Sequence, residues 1–151
     1  RGYSKKPVLL GQSRGGLMMF SWAVRNPKRV GGFAGIYPVL NLRSWPMKRN
    51  LGPTLADFGM DQDAFSNVIE QHNPINHLAG LAQAKVPIRI VHGDSDRVVP
   101  IEENSAIVAD RYRKLGGDAK VEVVPGKGHQ VVDEFFKSAK LIQFMLERSA
   151  R

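Results

Sequence analysis

Apolar residues in this chain alternate between two patterns. One is a short run rich in strand-forming side chains; the other is a longer stretch where apolar positions return every three or four residues. Val8-Leu9-Leu10 is the first run, and Leu17, Met18, Phe20, Ser21 and Val24 then recur at helical spacing up to Pro27, which cannot continue a helix. A second strand is expected near 33–37 and a third over 85–92, with Pro87 close enough to its start for the lost amide to be tolerated. A fourth is expected over 119–124. Helices are predicted near 101–115 and 132–148, the first closed by Gly116-Gly117, which supply the left-handed positions that helix ends favour. Strands alternating with helices predict the α/β class, a mostly parallel sheet flanked by helices.

The alternation lapses between Pro38 and Leu81. Pro38, Pro46, Pro53 and Pro74 interrupt that stretch, two short helical patches occur in it, and Trp45, Met47 and Phe58 look exposed. The expectation is one domain over 1–151 with 38–81 as a cap-like insertion lying over the sheet. A chain of 151 residues with 42% hydrophobic and 24% charged content can bury a substantial core, which excludes disorder.

Absence of cysteine excludes disulfides, a thiolate nucleophile, Cys-ligated zinc and iron–sulfur clusters. No apolar run approaches the roughly 20 residues of a membrane span, so no membrane partner is expected. The net charge of +8 raises nucleic-acid binding, but the basic residues never exceed two in a row and no helix-turn-helix, RNA-recognition or zinc-finger pattern accompanies them. No nucleic-acid partner is expected; the charge reads as a solvated basic surface able to attract anionic substrates.

Gly11-Gln12-Ser13-Arg14-Gly15-Gly16 stands where the first strand gives way to the first helix. A sharp turn there holds a serine in a strained conformation with its hydroxyl projecting, and glycines two residues to either side give it space. The competing reading is a glycine-rich anion cradle at a helix N-terminus, although neither phosphate-binding glycine pattern is present. His92-Gly93-Asp94-Ser95-Asp96 ends the third strand, where carboxylates face the crevice that α/β proteins use for ligands. Asp94 and Asp96 equally suit helix capping, and a metal site with His92 is disfavoured because no further ligands lie nearby. His129 follows the fourth strand in Gly126-Lys127-Gly128-His129-Gln130. Ser13, an aspartate and His129 thus each fall on the turn after a different parallel strand, at one sheet edge, where a base can reach a nucleophile and an acid can orient the base.

This arrangement resembles the α/β-hydrolase fold, whose triad runs in the order Ser, Asp or Glu, His from a Gly-x-Ser-x-Gly elbow. Gly-Asp-x-Asp-x-Val-Val-Pro and Gly-x-Gly-His look most like its esterase, thioesterase and prolyl-oligopeptidase-like branches. The resemblance implies Ser13 as nucleophile, His129 as base, Asp96 as acid with Asp94 as runner-up, and the backbone amide of Arg14 as one oxyanion-hole donor. It implies a serine hydrolase working through an acyl-enzyme, with no metal and no organic cofactor. A carboxylic ester is the expected substrate, a small molecule or a saccharide ester, because the Ser13-Arg-Gly-Gly-Leu segment with Trp22-Ala and Asn26-Pro is similar to bacterial hydrolases of carbohydrate breakdown. Trp45 and Met47 are candidate pocket residues, with Phe58 and Met60; the alternative is that they pack the insertion onto the sheet. A prolyl-oligopeptidase-like peptidase and a non-catalytic binding module on the same fold stand as rivals. The match covers the C-terminal half of that fold. With no initiator methionine at Arg1, roughly a hundred further residues, carrying the missing strands and the second oxyanion donor, are expected upstream.

Overall fold

The computed structural model describes residues 4–45, 47, 48 and 50–149. Arg1 and Pro46 lie outside them. Among the described residues a four-stranded, all-parallel sheet runs β1 (Val8–Gln12), β2 (Gly32–Ile36), β3 (Ile88–Gly93), β4 (Ala119–Val124), with neighbours in space being neighbours in sequence. Side chains alternate across it as a period of two requires. Leu9, Phe33, Ile88, Ile90 and Val121 face one layer, built from Phe20 and Ala23 of α1 (Arg14–Arg25), Leu81 of α4 (Ala79–Gln83), and Val108 and Tyr112 of α5 (Ile107–Lys114). Val8, Ala34, Ile36, Val91 and Val124 face the other, built from Phe135 of α6 (Asp133–Phe136) and Leu141 and Phe144 of α7 (Ala139–Ser149). All of β2 is buried, consistent with a central strand covered on both faces.

The chain between β2 and α4 carries α2 (Leu51–Phe58), α3 (Gln62–His72) and a 3-10 turn at Pro74–Asn76. Leu42, Phe65 and Ile69 form a separate cluster there, joined by Leu17, Met47, Leu51, Leu55 and Met60. Ile75, Leu78 and Leu81, by contrast, pack into the main core on the α1 side of the sheet.

Three expectations need correction. The helix predicted over 132–148 is two helices, because Ser138 takes the N-terminal position of α7: its Oγ accepts from the Leu141 amide at 3.2 Å and donates to Glu122 Oε2 on β4 at 2.6 Å. That side-chain bonding competes with a continuous helix. The helix predicted from 101 opens as a π-helical turn over Glu102–Ala106 before α5. Of the glycine pair after α5, only Gly116 is left-handed, at φ 77°; Gly117 is required instead by close approach, since a Cβ there would lie 2.3 Å from the Tyr112 ring.

Candidate active site

Ser13 occupies the junction between β1 and α1 with φ 48° and ψ −126°, a region that side-chain-bearing residues seldom enter. The junction is pinned on every side. The Ser13 amide donates to Ile36 O at 3.1 Å, and its carbonyl accepts from Gly16 N and Val39 N, both at 2.9 Å. A Cβ on Gly11 would sit 2.6 Å from Gly16 Cα, and one on Gly16 would sit 2.4 Å from Pro38 Cβ. Gly15 meets nothing within 4 Å, so the space is given by Gly11 and Gly16 rather than by Gly11 and Gly15. Serine at a helix N-cap ordinarily accepts from the amides of the first turn. This one does not; its Oγ lies 2.8 Å from His129 Nε2.

His129 Nδ1 lies 2.7 Å from Asp96 Oδ2. An ionised carboxylate can only accept, so the ring proton sits on Nδ1 and the Nε2 lone pair faces the serine hydroxyl. Asp96 is fully buried at its side chain, and its other oxygen, Oδ1, accepts from the amides of Val98 at 2.9 Å and Val99 at 2.8 Å. Burial alone would raise its affinity for a proton. Hydrogen bonds from His129, His92 and the Val99 amide outweigh that, holding the carboxyl well below the usual carboxylate range. Asp96 therefore caps a turn and faces the histidine at once. Asp94 does neither: its Oδ1 accepts from Gly126 N at 2.7 Å and so laces the acid loop to the histidine loop. The Ser95 amide adds a bond to Lys127 O at 3.0 Å, and Gly93 is close enough that a Cβ would meet Lys127 O at 2.0 Å.

Arg14 is the first residue of α1, where amides have no acceptor within the helix, and its side chain is exposed. Trp45 and Met47 are both half-buried; Met47 packs into the cluster beneath the insertion, as does Met60, while Phe58 is exposed and rests on Phe65.

The structural roles of three residues escape the sequence reading, where His92 enters only as a candidate metal ligand. Tyr37, expected inside a strand, lies just past β2 at φ 34° with its ring 4.5 Å from that of His129 and its hydroxyl accepting from Gln12 Nε2 at 2.8 Å. Nothing in the sequence signals this, since a residue before proline normally stays extended. His92, fully buried, brings Nε2 to 3.3 Å from Asp96 Oδ2; its spacing of four from that aspartate is the only hint. Asn104, also fully buried, accepts from the amides of Leu40 at 3.0 Å and Asn41 at 3.2 Å and donates to Ser44 Oγ at 2.9 Å and Pro100 O at 3.0 Å. It ties the segment after β2 to the turn that follows the acid loop.

The chain is 27% identical to the monoacylglycerol lipase of Mycolicibacterium smegmatis over 161 aligned positions, covering 84% of this chain and 56% of that protein. It spans about half the length of the curated relatives it matches. Among solved structures it superposes on the acylaminoacyl peptidase of Pyrococcus horikoshii with a TM-score of 0.73 at 16% identity, over 96% of this chain and 24% of that one. A truncated carbohydrate esterase from gut microbiota superposes with a TM-score of 0.72 at 21% identity, over 94% of this chain and 59% of that one. These likenesses give the α/β-hydrolase fold. A match to the prolyl oligopeptidase family runs over residues 3–147, taking in the elbow, the acid loop and the histidine loop together, and the chain therefore belongs to that family.

Proposed function

We propose that this chain carries the catalytic centre of a serine hydrolase that cleaves a carboxylic ester through Ser13, His129 and Asp96. The observation that carries the reading is the Ser13 hydroxyl, which forgoes its helix-capping bond for His129 Nε2 at 2.8 Å from a strained backbone. As Ser13 Oγ attacks the substrate carbonyl, its proton passes to His129 Nε2, and Asp96 stabilises the resulting imidazolium without taking the proton. The Arg14 amide donates to the oxyanion; one such donor typically contributes about 2.7–4 kcal/mol to lowering the barrier. The tetrahedral intermediate collapses as His129 returns the proton to the leaving alcohol, leaving an acyl group on Ser13. Water, deprotonated by the same imidazole, then releases the acid. Each step uses groups of the chain itself, so neither a metal nor an organic cofactor enters the scheme.

The preference for an ester is supported by the names of two curated relatives, a monoacylglycerol lipase and an acyl-protein thioesterase. A saccharide ester is the favoured form, with the carbohydrate esterase among the structural neighbours in support and Trp45 and Met47 as candidate pocket residues. The family itself favours a second reading, a peptidase acting at prolyl bonds. Hydrolysis of p-nitrophenyl acetate by the full-length protein and by its Ser13→Ala variant, with folding checked for both, tests the reading. Loss of turnover in the variant is expected; equal rates would overturn it. An acetylated sugar set against a proline-containing anilide separates esterase from peptidase, and absence of a fluorophosphonate adduct on Ser13 would favour a non-catalytic binding module.

A further inference from the structure

Behind the site, on the side away from Ser13, lies a histidine that the scheme above does not use. His92 is the penultimate residue of β3 and is completely buried, as is Ser105 in the π-helical turn beyond the acid loop. Both ring nitrogens are engaged: Nδ1 lies 2.6 Å from Ser105 Oγ, and Nε2 lies 2.9 Å from Val99 O and 3.3 Å from Asp96 Oδ2. A backbone carbonyl can only accept, so Nε2 carries a proton. Among the described residues Nδ1 is the sole partner of the Ser105 hydroxyl, which in a buried site must donate to it. The ring orientation and tautomer follow from those two bonds; the Nε2–H is directed at Val99 O, and Asp96 Oδ2 lies beside it, 3.3 Å from the same nitrogen.

We infer that His92 is a positioning residue of the candidate active site, a second imidazole whose Nε2–H holds the inner side of Asp96 Oδ2 while His129 takes the outer side. Asp96 then stands between two histidines, each bonded to a serine, in the order Ser13, His129, Asp96, His92, Ser105. One arm reaches the elbow; the other is sealed in the core. The sealed arm does two things. It fixes the direction of Oδ2 toward His129 Nδ1, which the two amides on Oδ1 alone leave free to rotate. It also draws off part of the carboxylate's negative charge, moderating its pull on the His129 proton. The titratable groups facing Asp96 are His92 from β3, His129 from the loop after β4, and Tyr37 from the end of β2.

The inference rests on the proposed roles of Asp96 and His129, and its test separates the two. In the full-length wild-type protein with 15N-labelled histidine, the ring nitrogens of His92 are expected to show Nε2 protonated and Nδ1 as the acceptor; an Nδ1–H, Nε2-unprotonated tautomer would overturn the inference without any reference to turnover. In His92→Leu the Nδ1–H proton of His129 is expected to move downfield, because Asp96 has lost a competing donor. The fall in kcat/KM on p-nitrophenyl acetate from pH 8 to pH 5.5 is expected to be about threefold steeper than in wild type. His92→Gln, whose Nε2 amide replaces the donor, is expected to restore both readouts. A folded His92→Leu protein with an unchanged resonance and pH profile, or a His92→Gln protein that behaves as the Leu variant does, would reduce His92 to core packing. Failure of the Ser13→Ala test would instead strike the proposed reaction and leave the tautomer result standing.

Discussion

Tyr37 lays its ring against the imidazole of His129, centroids 4.5 Å apart and tilted by 57°, while Phe135 and Phe136 back it from α6. The contact needs a backbone at φ 34°, a conformation costing on the order of 1–3 kcal/mol for a residue with a side chain. The surrounding packing maintains it, and the aromatic wall limits where the imidazole can swing. Tyr37→Phe keeps the wall and loses only the bond from Gln12, so turnover of p-nitrophenyl acetate, under the proposed function, is expected to stay within a few-fold of wild type. Tyr37→Leu removes the wall, and a loss of roughly tenfold to a hundredfold in kcat is expected from the misplaced base, read in a steady-state ester assay.

The two aspartates of the acid loop are expected to separate cleanly. Asp96→Asn leaves His129 with the wrong tautomer, and a drop of about 10⁴ in kcat is expected by analogy with other triads. Asp94→Asn retains an oxygen that can accept from Gly126, so both turnover and melting temperature should stay close to wild type.

Asp96 also makes a prediction about acid stability. Its carboxyl is held below the ordinary range when folded, so the native state binds fewer protons than the unfolded chain. The stabilisation is present in full above the ordinary aspartate value of about 3.9 and is lost as pH falls from there toward the depressed folded value. The gap between the urea midpoints of wild type and Asp96→Asn should begin to close below about pH 4 and go on closing as pH falls further. Convergence already at neutral pH would contradict the assignment.

Asn104 holds four partners in a site without solvent. Asn104→Ala strands the amides of Leu40 and Asn41 and the carbonyl of Pro100, and a loss of about 3 kcal/mol is expected from groups left unpaired. Chemical denaturation measures it directly.

The elbow glycines are unequal. Gly16→Ala would drive a methyl group into Pro38 and is expected to destabilise the protein by at least 1–3 kcal/mol, as overpacking generally does. At Gly15, where nothing described lies within 4 Å, alanine is expected to leave stability equal or raise it by up to about 1 kcal/mol through helix propensity. Paired thermal melts decide between them.

The sequence was legible where local physics dominates. Apolar runs such as Val8-Leu9-Leu10 and Ile88-Arg-Ile-Val mark strands covered by helices, and Gly-x-Ser-x-Gly, Gly-Asp-x-Asp and Gly-x-Gly-His each fall on the turn after one of them. Once the strands pair in parallel, those three turns share an edge. Contacts made across long separations were not legible. Loop chemistry alone leaves Asp94 and Asp96 open, and only the resemblance favours Asp96, because the choice depends on which carboxylate the folded loop turns inward; the break at Ser138 depends on Glu122 in a different strand. Tyr37 was hidden because its local preference points away from the conformation it adopts, and Asn104 because a polar residue near a helix start looks solvated until the segment it supports is in place.

The in-order parallel pairing of β3 with β4 carries one more consequence. His129 is carried on the loop beyond β4, so its distance from Ser13 and Asp96 is set by where β4 stops sliding along β3. A slip of one residue would move that loop by about 3.3 Å along the sheet and turn the strand's two faces over, more than the span of a hydrogen bond. The proposed proton-transfer chain is thus a vernier for strand alignment: a molecule misaligned by a single step could keep its helices and yet part His129 from Ser13 and Asp96.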